Sequence, residues 1–273
     1  MYAGCEMASF KDALGRKVEI ARPPRRIVSL VPSLTEALFA FGLAERVAGV
    51  TRYCVEPAEA RRKPRVGGTK NVDVAKVSAI EPDLVLANVE ENTRDDVDAL
   101  IAAGLPVFVT YPRTVAGAIA ELRELATMTG GDEAARPIIV GAEEAVAVAE
   151  AANERRKALR TFCPIWRNPW MTIGPDTYMH DFLRVCGAEN IYGQSAERYP
   201  AIELAAVAEH WPEVVLLPDE PYRFGRKHVP EVIEALGDVR TYLVDGKSLC
   251  WYGPRIGPAL AEVQRLLWGD TGV

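Results

Sequence analysis

The sequence lacks long apolar segments. No window of its 273 residues reaches the roughly 18–20 uninterrupted apolar residues that a membrane-spanning helix requires. Residues 1–10 also lack a basic segment followed by an apolar stretch of about 7–15 residues, the pattern of an export signal. From these absences we predict neither a membrane span nor export of the chain as it is written.

Long runs of basic residues are absent as well. The triplets Arg61-Arg62-Lys63 and Arg155-Arg156-Lys157 are short, and we interpret each as a solvated face of a helix or loop. The formal net charge is −6, and a mildly acidic surface does not favour nucleic acid as a partner. We therefore predict no nucleic-acid partner.

Cysteine is scarce and irregularly spaced. The sequence contains Cys5, Cys54, Cys163, Cys186 and Cys250. No pair has the C-x-x-C spacing of metal or redox sites, so buried free thiols are expected. A bridge from Cys163 or Cys186 to Cys250 is the alternative in an exported protein. Tyr2-Ala3-Gly4-Cys5 is similar to the end of a lipoprotein cleavage site, but without a preceding apolar stretch we favour coincidence.

Motifs of several enzyme classes are missing too. The sequence contains no G-x-S-x-G, no P-loop, no G-x-G-x-x-G after a strand and no H-E-x-x-H. We therefore predict no catalytic residues and a protein that is not an enzyme. Glu90 and Glu91 keep a hydrolase that uses cleft carboxylates as a less favoured alternative, because neighbours in sequence need not converge in space.

What is present is an alternation of short apolar strands and helices. Apolar runs rich in β-branched residues indicate buried strands, and Ser33 followed by Glu36 is typical of a helix N-terminus. The predicted strands are Arg26–Leu30, Val47–Val50, Asp83–Ala87 and Val107–Thr110, and the predicted helices are Thr35–Phe41, Val74–Ile80 and Arg94–Ala103. Short connections between alternating strands and helices predict an N-terminal α/β lobe with a largely parallel sheet over residues 1–113.

Residues 114–160 are rich in Ala, Glu and Arg and show no strand pattern. Pro137 suits the first position of a helix, and no further proline occurs before Arg160. We predict one helix from Pro137 to Arg160, about 24 residues and roughly 36 Å long at ~1.5 Å per residue. Its basic C-terminal end suits the negative end of the helix dipole.

The first pattern returns in residues 161–273, which predicts a second α/β lobe. Ser78–Leu86 is echoed by Ala208–Leu216, and Thr35–Gly42 by Thr177–Gly187. At about 130–140 residues, the spacing is too long for a solenoid repeat. The predicted fold is α/β, with two similar lobes that have central, mostly parallel sheets and are joined by one long α-helix. Because small ligands usually bind at lobe interfaces, we expect a ligand in the cleft of a monomer.

Polar and aromatic residues cluster after several predicted strands, where α/β sheets bind ligands. Aromatic rings supply stacking area at low entropic cost, and arginine can hold a carboxylate or phosphate through two hydrogen bonds. The candidate ligand contacts are Glu90, Glu91, Asn92, Trp166, Trp170, Glu220, Tyr222, Trp251, Tyr252 and Arg255. The alternatives are structural: acids at a helix N-terminus, aromatics packed in a loop and a surface arginine.

His228 is the candidate metal ligand. Imidazole commonly ligates haem iron and other transition metals. We therefore predict that His228 is a metal ligand of the axial type. The alternative is a structural or surface role for a lone histidine.

Several segments occur in an order that resembles a known family. They are Arg26–Leu30 with Pro32 and Thr35-Glu36, Val47–Val50 with Tyr53, Glu81–Val85, Cys186–Ile191 and Trp251–Arg255. Over roughly residues 25–265 the chain resembles the helical-backbone metal-receptor class, class III, of periplasmic substrate-binding proteins, which serve ABC importers of vitamin B12, haem and ferric siderophores. The resemblance implies a corrinoid (cobalamin-like), haem or ferric chelate as ligand, no intrinsic cofactor, an ABC permease as partner and a periplasmic or cell-surface location.

The resemblance also bears on single positions. Tyr53 matches a ligand-facing tyrosine, and Trp251 matches an aromatic position of the second lobe. Thr69 stands where the family has a tryptophan. The glutamates that dock onto permease arginines fall on Ala75 and Ala205 here, so docking through that charge pair is not implied. A cytoplasmic chelate-binding or sensing protein on the same scaffold is therefore the alternative function.

Overall fold

A computed structural model of the chain describes residues 6–269, which form two compact units. Unit 1 contains the residues up to Pro112, Ala118–Val140 and Tyr252–Pro254; unit 2 contains Arg113–Gly117, Gly141–Trp251 and the residues from Arg255 onward. Cys5 lies outside the described residues. Between residues 6 and 269, no helix is both long and apolar enough to cross a membrane.

Unit 1 is built on a parallel sheet. It begins with an antiparallel hairpin of β1 (Glu6–Lys11) and β2 (Lys17–Arg22). The later strands are β3 (Ile27–Ser29), β4 (Val47–Val50), β5 (Gly67–Gly68), β6 (Asn71–Val72), β7 (Leu84–Asn88) and β8 (Val107–Thr110). Four of them form a fully parallel sheet in the order β4-β3-β7-β8, and β5 pairs with β6 as a short hairpin. The sheet strands are almost wholly buried, as a parallel sheet requires.

The helices of unit 1 start at different kinds of caps. They are α1 (Pro32–Ala40), α2 (Val74–Ile80), α3 (Arg94–Ala102) and, from Ala118 onward, α4 (Val115–Thr129), and short 3-10 turns occupy Ala44–Arg46 and Ala58–Arg62. The Asp73 side chain caps α2, and the Thr93 side chain caps α3. The predicted Ser33 cap is wrong, because α1 already begins at Pro32, whose fixed φ and missing N–H suit the first helical position.

The long helix is present with different bounds. α5 (Asp132–Asn153) has 22 residues, and the chain passes from unit 1 to unit 2 within it. The predicted bounds of Pro137 and Arg160 are wrong. The helix starts earlier, with Asp132 and Glu133 at the positive end of its dipole. It ends earlier because the Asn153 amide donates to the Val185 carbonyl oxygen (2.9 Å) and because Leu159 already begins a strand.

Unit 2 repeats the sheet of unit 1. Its strands are β9 (Leu159–Phe162), β10 (Pro164–Trp166), β11 (Trp170–Thr172), β12 (Ala188–Asn190), β13 (Ala201–Ile202), β14 (Val214–Pro218) and β15 (Arg240–Val244). Four of them form a parallel sheet in the order β12-β9-β14-β15, and β10-β11-β13 form an antiparallel sheet. The helices are α6 (Tyr178–Val185), α7 (Val229–Leu236), α8 (Gly246–Cys250) and α9 (Ile256–Trp268), with 3-10 turns at Leu204–His210 and Arg226–His228.

The two parallel sheets share one connectivity. In each, the first strand of the sheet lies between the second and the third, and the fourth is at the edge. The predicted fold class, two similar α/β lobes with mostly parallel sheets and a long connecting helix, is confirmed. Cys54, Cys163, Cys186 and Cys250 are free thiols.

Candidate functional site

In unit 1, the chain after β7 forms a tightly bonded turn. The Asn88 side chain accepts hydrogen bonds from the N–H groups of Glu90 (2.8 Å) and Glu91 (3.2 Å). Asn92 closes the turn, since its Oδ1 accepts from the Asn88 N–H (2.9 Å) and its amide donates to the Thr69 carbonyl oxygen (3.0 Å). Asn92 is therefore buried and holds the loop, while Glu90 and Glu91 remain half-buried after the carboxyl end of the strand.

Tyr252 also belongs to unit 1, although its neighbours in sequence belong to unit 2. Its side chain is buried. Burial raises the pKa of Tyr252 well above its ordinary value, and the charges of Glu91 and Glu121 act in the same direction, while hydrogen bonds with Thr110 and Ser33 lower it. The structure thus brings the predicted contacts Glu91 and Tyr252 near each other, together with Glu121, which the sequence did not single out.

Tyr53 follows β4 and is 51 % exposed. The Arg52 guanidinium lies over its ring, 5.1 Å from the centroid, and donates to the Asn71 side chain (3.0 Å). One face of the tyrosine is thereby covered by a cation, and the rest of the ring is available for contact.

In unit 2, two segments far apart in the sequence form one aromatic cluster. Trp166 contacts Tyr222 edge-on with ring centroids 5.6 Å apart, and it remains 43 % exposed. Trp170 stacks on Phe224 at 5.5 Å and packs against the core of the unit. The stacking of Trp170 is thus satisfied within the protein, and Trp166 is the tryptophan of the pair that offers surface to a ligand.

Trp251 lies among charged groups of unit 2. Its Nε1 donates to Glu220 (3.2 Å), and the cationic groups of Lys247 and Arg255 lie 5.6 and 5.4 Å from the ring. Burial raises the pKa of Glu220, while Lys247 and the Trp251 hydrogen bond lower it. The predicted contacts Glu220, Trp251 and Arg255 are therefore brought together, but the indole itself is buried.

His228 is packed inside the aromatic cluster. Its ring meets Tyr222 and Phe224 edge-on at 5.6 and 5.4 Å, and its Nδ1 accepts from the Gly225 N–H (3.0 Å). Burial lowers the pKa of His228, and Lys227 lowers it further. Within residues 6–269, no group of three or more His, Cys, Asp or Glu side chains could hold a metal ion. The role of His228 as an axial type of ligand stays a prediction.

Sequence reasoning missed two residues near the predicted contacts. Glu121 follows Ala118 by three positions and precedes Leu125 by four, and both are buried. Helical periodicity therefore predicts that this carboxyl group lies on the inner face of α4, and this pattern in the sequence could have identified it. Phe224 lies in the segment after β14 that also contains the candidates Glu220 and Tyr222, but it was not among the predicted contacts.

The fold and these clusters define a class: an α/β binding protein with two units, each of which carries polar and aromatic side chains suited to a ligand. Residues 27–235 match the family described as periplasmic binding protein, so the chain belongs to the periplasmic binding protein family. The predicted resemblance to class III periplasmic substrate-binding proteins is confirmed.

Individual relatives are named as binding proteins. The vitamin B12-binding protein of Pectobacterium atrosepticum is 27% identical over 199 residues, which cover 71% of this chain and 71% of that protein. The structure of the periplasmic vitamin B12 binding protein BtuF of Vibrio cholerae matches with a TM-score of 0.79 at 20% identity, covering 90% of this chain and 97% of the other. A periplasmic heme binding protein from Pseudomonas aeruginosa matches with a TM-score of 0.78 at 21% identity, covering 90% and 94%. These structural matches establish the fold.

Proposed function

We propose that the chain is a monomeric solute-binding protein that holds a corrinoid, cobalamin-like ligand or another metal chelate such as haem or a ferric siderophore. The names of the relatives from Pectobacterium atrosepticum and Pseudomonas aeruginosa support such a ligand. The observation that carries the proposal is Trp166, an exposed indole at the end of β10 that Tyr222 contacts edge-on.

A large flat ligand suits the side chains after the strands. An exposed aromatic ring held by a neighbour can stack on a macrocycle with little loss of conformational entropy. Tyr53 offers a second exposed ring in unit 1. Glu90, Glu91 and Arg255 supply polar groups for the periphery of the ligand, and no covalent chemistry is required of any of them.

The test is a titration of the full chain with cyanocobalamin, cobinamide, haemin and a ferric hydroxamate siderophore, followed by tryptophan fluorescence. We expect at least one ligand to quench the fluorescence. Tryptophan is enriched among the hot-spot residues whose truncation to alanine costs about 2 kcal/mol or more, so Trp166→Ala should weaken binding by at least about tenfold.

Trp211→Ala is the matched control. Trp211 is 73 % exposed, but it precedes β14 at the amino end of the strand, so its removal should leave affinity unchanged. The proposal fails if none of the four compounds binds, or if Trp166→Ala and Trp211→Ala behave alike.

The proposal includes delivery to an ABC permease outside the cytoplasm. Ala75 on α2 and Ala205 in the 3-10 turn Leu204–His210 are exposed positions without the acidic charge expected for docking. This favours a second candidate function, a cytoplasmic chelate-binding or sensing protein. Fractionation of cells and uptake of labelled cobalamin with and without the gene separate the two, because only the transport protein is found outside the cytoplasm and raises uptake.

A further inference from the structure

A cavity of about 400 Å³ lies in unit 2 along β12, the edge strand of the parallel sheet. Its volume falls within the range of about 300–1,000 Å³ that is typical of small-molecule sites. Its polar lining consists of Asn153, Arg156, His180, Arg184, Glu189, Asn190 and Gln194. None of the chelate contacts proposed above lines it, so the cavity needs its own explanation.

Arg156 is the charged group best placed to receive a ligand in this cavity. Its guanidinium lies over the Trp268 ring, 4.9 Å from the centroid, and it forms no ion pair with any residue between 6 and 269. The Trp268 indole N–H in turn donates to the Cys186 carbonyl oxygen (3.0 Å), which fixes the ring beneath the cation. Arg156 is exposed, so its guanidinium N–H donors can reach an oxyanion in the cavity, and the planar fork can donate two hydrogen bonds to it.

His180 contributes a neutral donor. Its Nδ1 lies 3.3 Å from the Asn190 amide nitrogen, and that amide is oriented because its oxygen accepts from the Tyr192 N–H (3.0 Å). Since an amide nitrogen can only donate, Nδ1 is the acceptor and the ring proton resides on Nε2. Burial lowers the pKa of His180, which keeps the ring neutral and the Nε2–H in place.

The other charges around the cavity narrow the choice of ligand. Arg184 is held by Asp181 (2.8 Å) and Glu150 (3.7 Å), so most of its charge is offset. Glu189 is an exposed carboxylate in the lining. A polyanion would meet these acids, whereas a single oxyanion group can pair with the lining residues Arg156 and His180.

We propose that this cavity is a second binding site, separate from the chelate site, for a small organic molecule that carries one carboxylate or phosphate group. The oxyanion accepts two hydrogen bonds from the guanidinium of Arg156 and one from His180 Nε2. The body of the ligand rests against β12, next to Ala188 and Ile191.

The experiment is isothermal titration calorimetry of the full chain with citrate, inorganic phosphate and pyruvate at low ionic strength, with tryptophan fluorescence as a second readout through Trp268. We expect pyruvate or phosphate, each a single oxyanion group, to bind with a Kd below about 1 mM and more tightly than the polyanion citrate, and tighter binding of citrate would overturn the proposal. Arg156→Ala should weaken binding at least about tenfold, because charge-assisted bidentate hydrogen bonds are among the stronger polar contacts. Arg156→Lys, which keeps the charge but loses the fork, should weaken it to an intermediate degree.

Arg155→Ala is the matched control, since Arg155 is exposed, is adjacent in sequence and does not line the cavity. Binding of none of the three compounds, or equal losses in Arg155→Ala and Arg156→Ala, overturns the proposal. Binding to vesicles containing phosphatidylglycerol that is lost in Arg156→Ala would also overturn it, because the anion would then be a lipid. If Arg156→Ala does not fold, the affinities of Arg156→Lys and Arg155→Lys are compared instead, and equal affinities overturn the proposal.

Discussion

The carboxyl group of Glu121 is largely buried in unit 1. Its Oε1 accepts from the Tyr111 N–H (3.0 Å), and its Oε2 is buried without a hydrogen-bond partner within residues 6–269. Burial raises the pKa of Glu121 from 4.5 to about 7, and the nearby Glu124 charge adds to the rise. The folded state holds this proton more tightly than the unfolded chain does. Between about pH 4.5 and pH 7 it therefore binds more protons than the unfolded chain. The stability contributed by this proton is present at low pH and is lost as the pH rises to about 7.

Glu121→Gln should therefore stabilise the protein in a pH-dependent way. The amide still accepts from Tyr111 but never ionises, so the variant avoids burying a charge. We expect a small difference at pH 5 and a gain of up to about 3 kcal/mol at pH 8, since one pKa unit corresponds to ~1.4 kcal/mol. Urea unfolding of both proteins at pH 5, 6.5 and 8 measures this difference in the free energy of unfolding. Glu133→Gln, at an exposed position, is the control. A difference independent of pH would contradict the interpretation.

At the scale of elements, the two sheets share a hydrogen-bonding device at the start of their strands. The N–H of Arg26 donates to Asp83 (2.8 Å), and the N–H of Arg160 donates to Glu213 (2.9 Å). Asp83 directly precedes β7, which pairs with β3, and β3 begins next to Arg26. Glu213 directly precedes β14, which pairs with β9, the strand that contains Arg160. Glu81 and Trp211, two residues before these acids, share a left-handed backbone with φ of 51°. The sequence echo thus corresponds to a repeated local structure.

Removing either acid should cost its own unit a similar amount. A carboxylate that accepts from a backbone N–H contributes about 1.5–3 kcal/mol when buried. These bonds are exposed, so we expect Glu213→Ala to lower the free energy of unfolding by about 1 kcal/mol, and Asp83→Ala, which also removes the acceptor of the Arg25 N–H (2.7 Å), by at least as much. Asp98→Ala is the control, because it removes only an exposed pair with Arg94 (3.5 Å) and should change stability by under about 0.5 kcal/mol. Equal effects of all three in urea unfolding would contradict the repeated role.

Elements with strong local signals were predictable, and those decided by distant contacts were not. The strands and helices of unit 1 follow from apolar patterns, and α2 matches its predicted bounds. The end of α5 was mispredicted, since helix-favouring charges after Asn153 are overridden by pairing of Leu159 with Ala188. The sequence could not predict that Asn92 holds its loop, because its partner Thr69 is far away in sequence.

For the whole molecule, the internal repeat allowed the two-unit architecture to be predicted from the sequence. The grouping of the candidate ligand contacts could be predicted only in part. Composition and spacing indicated which segments carry aromatics. They could not show that Trp170 stacks on Phe224 or that Tyr252 belongs to unit 1 whereas Trp251 belongs to unit 2. Such groupings depend on the packing of each unit.

The last prediction concerns how the whole chain responds to its proposed ligand. Proposed contacts occur in both units, Tyr53 in unit 1 and Trp166 in unit 2. A ligand present at about 100 times its Kd stabilises the bound state by about 2.7 kcal/mol, which corresponds to a rise in Tm of roughly 5–10 °C for units of this size. Differential scanning calorimetry with cobinamide or haemin should show this rise, and Tyr53→Ala and Trp166→Ala should each reduce it. Arg156→Ala should leave it intact, because Arg156 lines the cavity along β12. If neither aromatic variant changes the shift, the chelate is held by other residues.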